Sequence, residues 1–138
     1  MLKSIITYLL ALSLIFLFCY INVTPVFKGY ADEYEVYLGN KGSLSQIISV
    51  NESDFIYLEN LSGESFTIDK ENFNLEKFLT DYDAKLVFVE EIESGISYYA
   101  YSKKIKYKAN IGKKLINLHV FIGKTNIKVG SPIIYGSF

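Results

Sequence analysis

The chain has 138 residues, a formal net charge of −1, and a half-apolar composition with two Pro and one Cys. That composition excludes a disordered chain and a disulfide-stapled or thiolate-metal scaffold. All fourteen basic residues are Lys, which excludes planar bidentate clamping of phosphate or guanine by Arg.

The first predicted element is the uncharged run Ile5 to Ile21. Backbone groups in lipid must be satisfied within the segment, so such a run is viable there as a helix. From Ile5 to Val23 it spans about 28 Å, close to the hydrocarbon thickness. No face of it carries polar punctuation, which argues against a buried core helix. Two readings stay open. A cleaved secretory leader has a shorter apolar core and a small-x-small site close behind it; Gly29-Tyr30-Ala31 comes about ten residues late. A retained single-pass anchor suits the length better. Cys19 follows the bulky Phe18, which is wrong for lipoprotein lipidation, and reads as apolar filler. Lys3 and the amino terminus are expected in the cytoplasm, with the remainder outside. The expected divisions are an anchor or signal segment at 1–23, a linker at 24–32 and an extracytoplasmic domain at 33–138. That leaves about 105 residues outside the membrane, enough for one compact domain.

Glu33 to Leu38 alternates, with Tyr34, Val36 and Leu38 on the buried face of a predicted strand. Gly39-Asn40-Lys41-Gly42 is a turn, and Leu44 to Val50 leans toward a second strand. Phe55 to Leu58 reads as a short third strand, Ser62-Gly63 as a break, and Phe66 to Ile68 as a brief extended piece. Leu75, Phe78, Leu79 and Tyr82 then fall at i, i+3, i+4 and i+7, which predicts one main helix over about 74–83. Asn74 is its N-cap, and Glu76 in the first turn suits the helix dipole. Lys85 to Ile92 is apolar on both pleat faces and is expected to be a central strand under the helix. Ile96 to Ser102 returns after Glu93-Ser94-Gly95. Lys104 to Ile111 alternates Lys with Ile105, Tyr107 and Ala109. Ile116, Leu118, Val120 and Ile122 share a face in a strand from Leu115 to Ile122. Ile127 to Val129 is a last strand, Ser131-Pro132 breaks the ladder, and Ile133 to Phe138 reads as a docked apolar tail. The expected architecture is α+β: an N-terminal transmembrane helix, then a curved antiparallel sheet with one main helix packed on it.

From Asp83 on, four stretches resemble the carboxy-terminal part of the YwmB-like family. They are Ala84-Lys85-Leu86-Val87, Ser97-Tyr98-Tyr99-Ala100-Tyr101-Ser102, Asn117-Leu118-His119-Val120, and Lys128-Val129-Gly130-Ser131-Pro132-Ile133-Ile134. That family comprises exported proteins of Gram-positive, spore-forming bacteria, with a fold likened to the TATA-box-binding protein. The resemblance implies an export segment and a helix on a curved sheet. It implies no activity and no DNA binding.

Candidate chemistry is sparse. His119 is the lone histidine, and no HExxH or Cys cluster accompanies it, so it cannot build a usual metal site. It reads as a structural residue or a contact. Glu90 and Glu91 are adjacent on a strand and so face opposite ways. No GxSxG, no helical Ser-x-x-Lys and no glycine-rich phosphate loop occurs. No catalytic residue, cofactor or metal ligand is therefore assigned. Charge is unevenly spread: residues 52–93 carry twelve acids and three Lys, and residues 94–138 carry eight Lys and no acid. Lys103, Lys104, Lys106, Lys108, Lys113 and Lys114 form the leading candidate surface, suited to anionic lipid or wall polymer or, alternatively, to protection of a sheet edge. Tyr99 and Tyr101 are candidate contacts, or cross-strand packing. The expected function is a non-enzymatic, membrane-anchored domain that binds an envelope component or partner protein through the Lys-rich hairpin. The alternative is a subunit of a membrane assembly or a homodimer, and behind that a small hydrolase. No nucleic-acid partner is expected.

Overall fold

The computed structural model describes residues 1–21, 24–39 and 44–136. The expected turn at Asn40-Lys41-Gly42 and the last two residues of the tail lie outside them. Helix α1 (Leu2–Ile21) comes first. Among the described residues no helix is long and apolar enough to cross a membrane; the described side chains of α1 end at Phe18. Beyond it lies an α+β domain. Strands β1 (Glu33–Leu38), β2 (Gln46–Asn51) and β3 (Leu61–Asp69) precede helix α2 (Leu75–Asp81). Strands β4 (Lys85–Ile92), β5 (Gly95–Tyr101), β6 (Ala109–Ile111), β7 (Lys114–Ile116), β8 (Leu118–Ile122) and β9 (Asn126–Ser131) follow. Seven of them form one antiparallel sheet in the order β2-β1-β3-β9-β8-β5-β4, and β6 and β7 form a separate hairpin.

One sheet face builds the main core. Tyr34, Val36, Phe66, Val129, Val120, Leu118 and Ala100 line it, and Phe27, Phe55, Phe78 and Ile105 cover it. Helix α2 docks there through Phe78, whose ring centre lies 6.0 Å from that of Phe27 and 4.8 Å from that of Tyr82. Asn74 caps α2 as expected, its Oδ1 accepting the Lys77 N–H at 2.8 Å. At seven residues the helix is short, and its stability comes from this aromatic docking rather than from propensity.

The other face is partly covered by the tail. Tyr37 is buried against Tyr135, with ring centres 4.7 Å apart. A Cβ on Gly63 would lie 2.7 Å from the Tyr37 ring and also strike Ser131 and Pro132; one on Gly130 would lie 2.8 Å from Ile134. Backbone therefore approaches closely at both positions, which explains glycine inside these strands.

Several expectations are corrected. The segment 24–32, expected as a linker, contributes Phe27, which is 0% exposed at the centre of the core. Phe55 to Leu58 is not a strand: Glu52–Tyr57 forms a 3-10 turn that inserts Phe55 against Tyr34 and leaves Ile56 and Tyr57 outside. Ser62-Gly63 does not end β3 but marks a register shift against β1, where Tyr37 pairs with Gly63 and Leu38 with Leu61; Gly63 is also where the tail docks. Strand β4 is an edge strand rather than a central one. Helix α2 packs instead on Phe27 and Phe66 through Phe78. Only Ala109–Ile111 of the expected strand Lys104 to Ile111 is laddered. The alternating burial of Ile105 and Tyr107 persists without strand pairing, because Ile105 joins the main core and Tyr107 is buried beside it. Leu115 to Ile122 is two strands, broken at Asn117.

Candidate functional site

The Lys-bearing rim is shaped by Asn117. Its Oδ1 accepts the Ser102 N–H at 2.8 Å, and its Nδ2 donates to the carbonyls of Ser102 (2.6 Å) and Ile105 (3.1 Å). This buried amide satisfies backbone groups that leave the β5 ladder, as buried polar groups require. The bend it holds sends Ile105 and Tyr107 inward and leaves Lys103, Lys104, Lys106 and Lys108 exposed. Lys113 and Lys114 are exposed on the β6–β7 hairpin. The ammonium of Lys106 lies 4.9 Å from the Tyr107 ring centre, that of Lys108 6.0 Å from Tyr101, and that of Lys114 4.6 Å from Phe88. Such contacts hold the long stems over aromatic faces while the charge keeps access to water.

A hydrogen-bonded path joins this rim to the segment that follows α1. The Tyr82 hydroxyl donates to the Val26 carbonyl at 2.9 Å. The Tyr82 carbonyl accepts from the Ser102 hydroxyl, whose oxygen accepts the Lys104 N–H at 3.0 Å. The Lys104 ammonium donates to the Asp81 carbonyl at 3.3 Å, and the Asp81 carboxylate accepts from the Tyr30 hydroxyl at 3.2 Å. Val26 is five positions beyond Ile21, the last residue of α1. Five residues reach at most about 18 Å. The Lys104 end of the rim is thus tied through hydrogen bonds to Val26, within that reach of the last residue of α1.

Glu64 is a group that reading the sequence missed. It is 0% exposed on the core face of β3. Its Oε1 accepts the Phe27 N–H at 3.1 Å. Its Oε2 and the Tyr107 hydroxyl are the two buried side-chain atoms without a hydrogen-bond partner among the described residues. Burial pushes the Glu64 carboxyl up to about 7, against the Phe27 N–H and the Lys106 charge, which pull it down. Burial, and then the Glu64 charge, push the Tyr107 hydroxyl up. The available signal was parity. Glu64, Phe66 and Ile68 share a face once β3 runs unbroken, so a carboxylate on that face is buried.

His119 and Tyr99 come together on the tail face. Their rings stack with centres 4.3 Å apart, and Phe88 stacks on Tyr99 at 4.3 Å. The His119 Nδ1 accepts the Ile134 N–H at 3.3 Å, so Nε2 carries the proton toward the Ser97 hydroxyl oxygen at 3.1 Å. Burial pulls its pKa down to about 4. His119 is thus a neutral clasp for the tail at neutral pH. The Tyr99 hydroxyl donates to Glu90 at 3.3 Å, so the Tyr99 ring separates the exposed Glu90 from His119. Tyr101 is half-buried beside Lys108. Of the predicted contacts, Tyr99 and His119 form one buried stack, and Tyr101 belongs to the Lys rim.

At the far side of the core a groove of about 430 Å³ is lined by Tyr30, Asp32, Glu33, Glu35, Ser49 and Asp69, among others. Among the described residues no group of three His, Cys, Asp or Glu is placed to hold a metal ion. No family model, no curated protein and no solved structure matches the chain.

Proposed function

We propose that this protein is a membrane-anchored, non-catalytic domain whose Lys-bearing rim lies on anionic headgroups of the bilayer that holds α1. The observation that carries the reading is the path Val26–Tyr82–Ser102–Lys104, which ties the rim to the residues just beyond the helix. Helix α1 has 20 residues, about 30 Å at 1.5 Å per residue, which matches the hydrocarbon thickness. Lys3 is its one charge, and the side chains described along it are exposed. Phe27, buried in the core, lies six positions after the last residue of α1, which bounds the span from helix to domain at roughly 20 Å. Each Lys near an anionic surface contributes about 1 kcal/mol, falling off within about 10 Å. The acid-free stretch 94–138 favours that contact. With Lys3 on the cytoplasmic side, the domain stands outside the membrane. The kinship suggested by the YwmB-like motifs agrees with that side and adds no activity.

The test uses full-length chain with Cys19→Ser, reconstituted in nanodiscs of zwitterionic lipid with or without a phosphatidylglycerol fraction. A spin label on Lys106→Cys is expected to be relaxed by headgroup-bound gadolinium only where the anionic lipid is present and salt is low. A label on Ser49→Cys stays distant in every lipid. Equal relaxation of the two labels, or no dependence on anionic lipid, overturns the reading.

A further inference from the structure

Strand β4 ends the seven-stranded sheet: β5 pairs with one of its edges, and no described strand pairs with the other. Leu86 is 51% exposed and Val89 46% exposed. Leu115 is 42% exposed on the β6–β7 hairpin, whose Lys114 reaches Phe88. A row of unmatched backbone donors and acceptors bordered by apolar side chains is a template for another strand. We propose that this edge pairs antiparallel with β4 of a second copy of this chain.

The occupant follows from the strand's own charges. In the β5 register Lys85 stands opposite Tyr101, Phe88 opposite Tyr99 and Glu90 opposite Ser97, so all three point to the tail face. A bulge between Leu86 and Phe88 gives Lys85 and Phe88 that common parity. Self-pairing centred on Phe88 then sets Lys85 across from Glu90 of the second copy, and Glu90 across from its Lys85. Leu86 and Val87 face Val89 on the opposite side. Centring one pleat further, on Glu90, would place like charges directly opposite, which is unfavourable. The strand is therefore complementary to itself in the register centred on Phe88, as an isologous interface requires.

The symmetry also suits the anchor. Antiparallel pairing of two identical edges needs a two-fold axis normal to the sheet, and such an axis keeps each face pointing the same way. Phe27 sits on the helix-bearing face in both copies. Both Val26 segments then lie on one side of the paired sheet, so two α1 helices can enter the same bilayer. The pairing itself does not depend on the headgroup contact proposed above.

The experiment uses full-length chain with Cys19→Ser in a zwitterionic detergent, where anionic lipid plays no part. Sedimentation is expected to show a concentration-dependent dimer. Oxidation of Phe88→Cys yields a cross-linked dimer, whereas Ser49→Cys on the opposite edge does not. Lys85→Glu and Glu90→Lys, both exposed positions, each turn two attractive pairs into repulsive ones and raise the dissociation constant roughly ten-fold. Combining them restores the dimer. A monomer at every concentration, equal cross-linking at Ser49→Cys, or no restoration in the double exchange overturns the proposal. A dimer insensitive to all three β4 changes places the contact elsewhere and overturns it equally.

Discussion

Replacing Glu64 by Gln separates two buried groups that pull stability in opposite directions with pH. Glu64 moves from the usual 4.5 to about 7 on folding. The folded state therefore holds this proton more tightly. Its stabilising contribution is complete below pH 4.5 and is lost as pH rises to about 7. A pKa difference of about 2.5 (7 − 4.5) corresponds to roughly 3 kcal/mol. His119 moves the other way, from 6.5 to about 4. Its contribution is complete above pH 6.5 and is lost as pH falls through 4, again by roughly 3 kcal/mol. The two windows overlap and nearly cancel in the native protein. Gln keeps an oxygen for the Phe27 N–H and cannot ionise. The difference between Glu64→Gln and the native chain is therefore expected near zero at pH 4.5 and roughly 3 kcal/mol in favour of Gln at pH 7.5, a melting shift of about 10 °C. Thermal unfolding of the full-length chain in neutral detergent, followed by near-ultraviolet circular dichroism, reads it. A difference that does not change with pH, or a variant less stable at pH 7.5, would refute the reasoning.

Three further perturbations probe the same scaffold. Phe27→Ala opens a cavity among Phe66, Phe78 and Tyr82 and is expected to destabilise the domain by about 3–5 kcal/mol, where a true linker residue would cost almost nothing; urea titration distinguishes the two. Asn117→Ala strips partners from buried groups of Ser102 and Ile105, with an expected loss of about 3 kcal/mol or more; amide exchange is expected to quicken at 102–108 before it does in β8 and β9. His119→Phe preserves the ring stack but orphans the Ile134 N–H. It is expected to cost about 1–3 kcal/mol at pH 7.5, with a deficit that shrinks toward pH 4 as native His119 loses its own contribution. A deficit that grows on acidification would contradict the neutral-clasp assignment.

The periodic elements were legible before the structure. Tyr34, Val36 and Leu38 in β1, the Asn74-capped helix, and the shared face of Leu118, Val120 and Ile122 all follow from side-chain period and one cap. What escaped were tertiary effects that period alone does not carry. Phe27 lies in a Pro-containing segment without periodicity, so nothing local marks it as core. Gly63 looks like a break until the docked tail supplies the reason for its missing side chain. The apolar run at Leu86 to Val89 is ambiguous: exposure at an edge and burial at a centre write the same residues. The Lys alternation at 104–108 predicted the burial of Ile105 and Tyr107 correctly and the strand pairing wrongly. Burial there is satisfied through Asn117, fifteen positions from Ser102. Glu64 was hidden by the misread break at Ser62-Gly63, which obscured its place on the inward pleat.

The most direct test of the anchored-domain account is extraction of native membranes with alkaline carbonate, followed by labelling of Lys106→Cys, in a Cys19→Ser background, on intact cells. The account requires the full-length chain to stay in the membrane pellet and Lys106→Cys to react with an impermeant maleimide from outside. Release into the carbonate supernatant, or labelling only after lysis, would contradict it.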